Sequence, residues 1–108
     1  MTGFVAIGSD SGAANVLGTG HSAIHFRGRI EQQLESYPSV EIGFAGAFVT
    51  QSFVDELLGP LILRMGPIAL ERLAFSGCGE EAKAILKLVI AGRLRDHTVQ
   101  VNASRVLG

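Results

Sequence analysis

The chain has 108 residues, 47% of them hydrophobic, which is enough apolar material to close one core without metals or disulfides. Ten acids and nine bases give a net charge of -1, so the basic excess needed to neutralise a phosphate backbone is missing and nucleic acid is not an expected partner. The lone Cys78 suits a reducing compartment, no apolar run reaches the roughly 18 to 20 residues that span a bilayer, and the first residues lack a signal-peptide pattern, so a single cytoplasmic domain over 1–108 with no membrane partner is expected.

Residues 1–21 divide into a short apolar strand at 4–7, a turn at Asp10-Ser11-Gly12, a weaker strand-like run at 14–17 that could close a hairpin with the first, and a Gly-rich loop. Ser22 then stands where it could cap a helix whose apolar positions Ala23, Phe26, Ile30 and Leu34 follow helical spacing, and Tyr37-Pro38 should end that helix. Val40, Ile42 and Phe44 alternate with Glu41 and Gly43, the period of a central strand with one face on the core. After the turn-like Ala45-Gly46, Ser52 lies three residues before Asp55, close to a capping box, and Phe53, Val54, Leu57, Leu58, Leu61, Ile62 and Met65 continue at helical spacing. Pro60 should kink this helix, because it brings no N–H for the carbonyl four residues earlier.

Leu73-Ala74-Phe75 reads as a second core strand, followed by the turn Ser76-Gly77-Cys78-Gly79. A last helix opens on Glu80 and Glu81 and closes near Arg93 and Arg95, with Ala82, Ile85, Leu86, Val89 and Ile90 on its apolar face. The alternation at 98–102 suggests an edge strand within a tail at 97–108. The order of elements favours an α/β domain, a small mixed sheet with helices packed mainly on one face.

Several residues invite chemistry. Asp55 and Glu56 are adjacent and diverge by about 100 degrees on a helix, which suits the helix dipole and not a facing pair of catalytic carboxylates. His21 and His25 share a helical face, but two histidines alone do not make a metal site, and no metal or other cofactor is expected. Cys78 sits where a helix N-terminus could stabilise a thiolate, and small buried filler is its commoner role. Gly18, Gly20 and Ser22 resemble an anion-cradling loop that lacks the lysine and spacing of a phosphate-binding loop. No nucleophile has a general base near it in sequence, so the chain is not read as an enzyme. Ser52 combines the role of helix cap with the geometry of a phosphorylation site, where a phosphate would gain the helix dipole close to Asp55 and Glu56.

The run VEIGFAGAFVTQSFVDELLG at 40–59 resembles the STAS-like domain family of unknown function, whose members carry a strand, a short turn and a helix start of the type SFADEL. Leu73-Ala74-Phe75-Ser76-Gly77 and the acidic helix start after it look like the next strand and helix of that family, so the resemblance covers residues 22–94. That family is similar to the sulfate-transporter and anti-sigma-factor-antagonist (STAS) fold, in which a serine at the corresponding helix start is phosphorylated by a partner kinase. The resemblance therefore implies a regulatory interaction domain of signal transduction and transcription control, docking a histidine-kinase-like ATPase or an anti-sigma factor through Thr50, Gln51, Ser52, Asp55 and Glu56. Here Gln51-Ser52-Phe53-Val54 replaces the usual acidic-serine-serine-glycine signature, and Ser52 matches by position. Two alternatives come from other classes: a small-molecule or nucleotide-binding domain using helix N-termini as anion sites, and a structural homodimer joined through the edge strand near Val99.

Overall fold

The computed structural model describes the backbone of residues 1–7, 16–17 and 20–107 and the side chains of residues 1–7 and 23–102. Its elements run β1 (Thr2–Ala6), β2 (Val16–Leu17), α1 (Gly20–Ser36), β3 (Ser39–Gly43), β4 (Phe48–Val49), α2 (Gln51–Met65), α3 (Ile68–Arg72), β5 (Leu73–Ser76) and α4 (Glu80–Leu107). The domain is mixed α/β, as the alternation of elements predicts.

The sheet is parallel, not mixed: β3 lies between β1 and β5, with Val5 opposite Ile42 and Ile42 opposite Phe75. The expected hairpin is also absent, because β1 pairs with β3 while β2 pairs in parallel with β4. Strands joined through helices must cross over, and crossovers of one hand along the order β1-β3-β5 bring the helices to one face. That face carries Val5, Val40, Ile42 and Leu73, all buried, and the opposite face leaves Phe4 about half exposed across Gly43.

The core is aliphatic with a few rings. Phe26 and Phe53 meet edge to face with centroids 6.4 Å apart, and Val54, Leu57, Leu58, Leu61 and Ile62 of α2 are fully buried between α1, α4 and the sheet. The helical phase of 53, 54, 57, 58, 61 and 62 is what buries α2, and it leaves Ser52, Glu56 and Pro60 on the outer side.

Proline organises the joints between helices. The chain has three prolines, and each lacks the N–H that the carbonyl four residues earlier would bond in a helix. In each case a side chain from another element donates instead. Arg27 of α1 donates to the Glu56 carbonyl before Pro60, and α2 continues through Pro60 without dividing. Arg72 of α3 donates to the Leu34 carbonyl before Pro38 at 2.6 Å, and to the carbonyls of Tyr37 and Pro38 at 2.9 Å each, closing the end of α1. His97 of α4 donates from Nδ1 to the Leu63 carbonyl before Pro67 at 2.7 Å. A carbonyl left without a donor costs about 1–3 kcal/mol when buried, so the arginines and the histidine tie the middle of α2 and the ends of α1 and α2 to their neighbours.

Residues 98–102 are helical, which removes the expected edge strand; α4 runs on through them, and Thr98 Oγ1 donates to the Leu94 carbonyl one turn back. Among the described residues no helix is long and apolar enough to cross a membrane.

Candidate functional site

The residues singled out by sequence gather at the first turns of α2, where the chain leaves β4. Thr50 has extended backbone, φ -98° and ψ 164°, and its Oγ1 accepts a hydrogen bond from the Phe53 N–H at 3.1 Å. Its carbonyl accepts from the Val54 N–H at 3.1 Å. Thr50 is therefore the N-cap, and Ser52 is not: a cap needs extended backbone and an oxygen three residues ahead of the amide it serves, and Ser52 is already helical. The sequence pattern points to Ser52 as the cap, and the structure moves it two residues earlier, to Thr50.

Correcting the cap changes the standing of Ser52. Its side chain is exposed and has no hydrogen bond among the described residues. The amides of Gln51 and Ser52 stand in the first turn, where an α-helix supplies no acceptor. Asp55 and Glu56 are both occupied by arginines. Arg93 of α4 grips Asp55 in a two-point fork, Nε to Oδ1 at 2.8 Å and Nη2 to Oδ2 at 2.7 Å, and this hydrogen bonding holds the guanidinium above its ordinary pKa. Gly59 makes room for the fork, since a Cβ there would lie 3.0 Å from Arg93 Nε. Arg27 reaches Glu56 Oε2 at 3.4 Å as well as the carbonyl. The five predicted residues thus divide into a structural set, Thr50, Asp55 and Glu56, and an unoccupied exposed pair, Gln51 and Ser52.

Phe48, in β4 just before the cap, was missed by sequence reasoning. Its ring is 68% exposed, and with Ala47 and Val49 it lines a shallow depression of about 340 Å³ shared with Gly79, Glu80, Glu81 and Ala82 at the start of α4. The strand period at 40–44 stopped at Phe44, and nothing local showed that Phe48 would begin a second short strand with its ring outside.

The anion-cradle residues fare differently. Gly18 lies outside the described residues, Gly20 is the first residue of α1, and Ser22 falls within the helix and not at its cap. His25 is exposed with its ring edge against Phe26 at 5.4 Å, and His97 is held by the Leu63 carbonyl. Among the described residues no three His, Cys, Asp or Glu side chains gather where they could hold a metal. Cys78 is half-buried, and burial pushes its thiol above the ordinary pKa despite the opposing charge of Lys83. A thiol in that state is a weak nucleophile at neutral pH.

Comparison with known proteins gave no match: no family model, no curated protein and no solved structure aligns significantly with this chain.

Proposed function

We propose that the chain is a non-enzymatic regulatory domain of the STAS-like kind that docks a partner protein through the junction of β4 and α2, and that phosphorylation of Ser52 switches the docking. The observation that carries the reading is the Ser52 hydroxyl: exposed, free of hydrogen bonds to the described residues, and relieved of the capping role by Thr50. A phosphate there gains the positive end of a 15-residue helix and the open amides of its first turn. The nearby acids, which would repel it, are paired with Arg93 and Arg27.

Phe48 supplies the apolar anchor that such a surface needs, since exposed aromatics are enriched where partners bind. A regulatory protein of the histidine-kinase-like ATPase or anti-sigma-factor type would dock against the Phe48 ring and read the charge state of Ser52 beside it. The sheet β1-β3-β5 is parallel, where the order of elements led to an expected mixed sheet, so the reading rests on the α2 junction and not on sheet topology.

The test places a photo-crosslinking residue at Gln51 and, as a control, at the exposed Gln32 of α1, in cells that make the protein. The expected result is one partner captured from position 51 alone, retained with Ser52→Ala and lost with Ser52→Asp. Equal capture from both positions, or capture insensitive to Ser52→Asp, would overturn the proposal.

A further inference from the structure

The first turns of α4 hold a second feature beside β5, unrelated to the Ser52 surface. Helix α4 packs chiefly against α2 and scarcely touches β5, although β5 is the edge of the sheet and leads directly into it. The gap left between them is a groove of about 440 Å³, within the range of small-molecule sites. Its walls are the apolar side chains of Phe75, Leu86 and Ile90, Cys78 lies at the strand end, and Lys83 and Lys87 complete the lining.

The two lysines separate this groove from an accidental gap. They are the only lysines in the chain, and both line it. Arg27, Arg64, Arg72 and Arg93 all bond a carboxylate or a carbonyl across the fold, whereas Lys83 and Lys87 have no ion pair among the described residues. They stand four residues apart on one helix face, where like charges repel. Among the described residues no carboxylate lines the groove to offset them. Both lysines are exposed residues that also line the groove.

The geometry points to a binding site for a small amphiphilic anion, an alkyl or aryl carboxylate whose apolar part lies along Phe75, Leu86 and Ile90 while Lys83 and Lys87 hold its charge. Apolar contact supplies most of the affinity of such a ligand, and the paired ammonium groups select carboxylate over alcohol. Binding also relieves the repulsion between the lysines.

The test is an NMR titration of the full chain with decanoate, with decanol as the uncharged control. Saturable shifts at Phe75, Cys78, Leu86 and Ile90 are expected with decanoate, at least about tenfold weaker with decanol, and about tenfold weaker again for decanoate with the double variant Lys83→Gln, Lys87→Gln. Decanoate should also slow maleimide labelling of Cys78 in the wild-type chain and not in the double variant. The inference is overturned if decanoate gives no saturable shifts at these residues, or if the double variant binds it as tightly as the wild type. It is equally overturned if the chain sediments with phosphatidylglycerol vesicles while ignoring dissolved decanoate, since the ligand would then be a membrane surface.

Discussion

The two ends of α2 are built differently. At the C-terminal end two carbonyls of the last turn are closed off: the Gly66 N–H bonds the Ile62 carbonyl at 2.7 Å, His97 bonds the Leu63 carbonyl, and Gly66 turns the chain with φ 64° beside the imidazole. At the N-terminal end one threonine caps the helix, and Gln51, Ser52 and the Phe48 ring are left facing solvent. A helix end closed by backbone and neighbouring side chains has no freedom to respond to a ligand. The open end is pinned by the Thr50 cap and by Arg93 and Arg27 on Asp55 and Glu56, none of which involves Ser52, so a charge there can be gained without refolding, which is why the proposal puts the switch at Ser52.

The largest way to break this comparison is at the closed end. Gly66 occupies a backbone conformation that other residues rarely adopt, and a Cβ there would lie 2.4 Å from His97 Nε2. Gly66→Ala is expected to cost about 2–3 kcal/mol by urea denaturation. A cost under about 1 kcal/mol would mean that the closed end is not rigid.

The next effect sits at mid-helix, where Pro60 leaves the Glu56 carbonyl to Arg27. Arg27→Ala should cost about 1–2 kcal/mol, and distinctly less in a Pro60→Ala background, where residue 60 again brings an N–H. Equal costs in the two backgrounds would show that Arg27 acts through the Glu56 carboxylate and not through the carbonyl.

At the open end the expected effects are smallest, and they separate two neighbouring hydroxyls. Thr50→Ala removes the cap and should cost about 1 kcal/mol, while Ser52→Ala should change stability by less than about 0.5 kcal/mol. The reverse order would return the cap to Ser52 and leave that residue with a structural task.

These contrasts also mark what the sequence made legible. Short-range periodicity located the strands at 40–44 and 73–75, the body of α2 and the head of α4, because burial on one face imposes a period that can be read without knowing the partner. It failed where the answer lay in a distant segment. Val99 and Val101 alternate like a strand, yet among the described residues no strand lies beside them to pair with, and extending an existing helix costs little once it has been nucleated. Parallel pairing of β1 with β3 was hidden for a related reason, since only the crossover decides strand direction.

The candidate site was half legible. Pro60 announced that it would leave the carbonyl four residues earlier without a donor, but not that Arg27 would answer, nor that Arg72 and His97 would do the same before Pro38 and Pro67, because the donors come from 29, 38 and 34 residues away. Within the segment 50–56, sequence showed a helix start but not that Thr50 caps it while Arg93 and Arg27 pair with Asp55 and Glu56. Capping preference favours Ser over Thr, so composition pointed to Ser52, whereas the backbone turns helical one residue before it and leaves the cap to Thr50.

The most direct test of the account is to map phosphate on the chain by mass spectrometry after incubation with ATP and an extract of cells that make it. The account predicts phosphate on Ser52 and none on the capping Thr50. Phosphate on Thr50, or on neither hydroxyl of this turn, would contradict it.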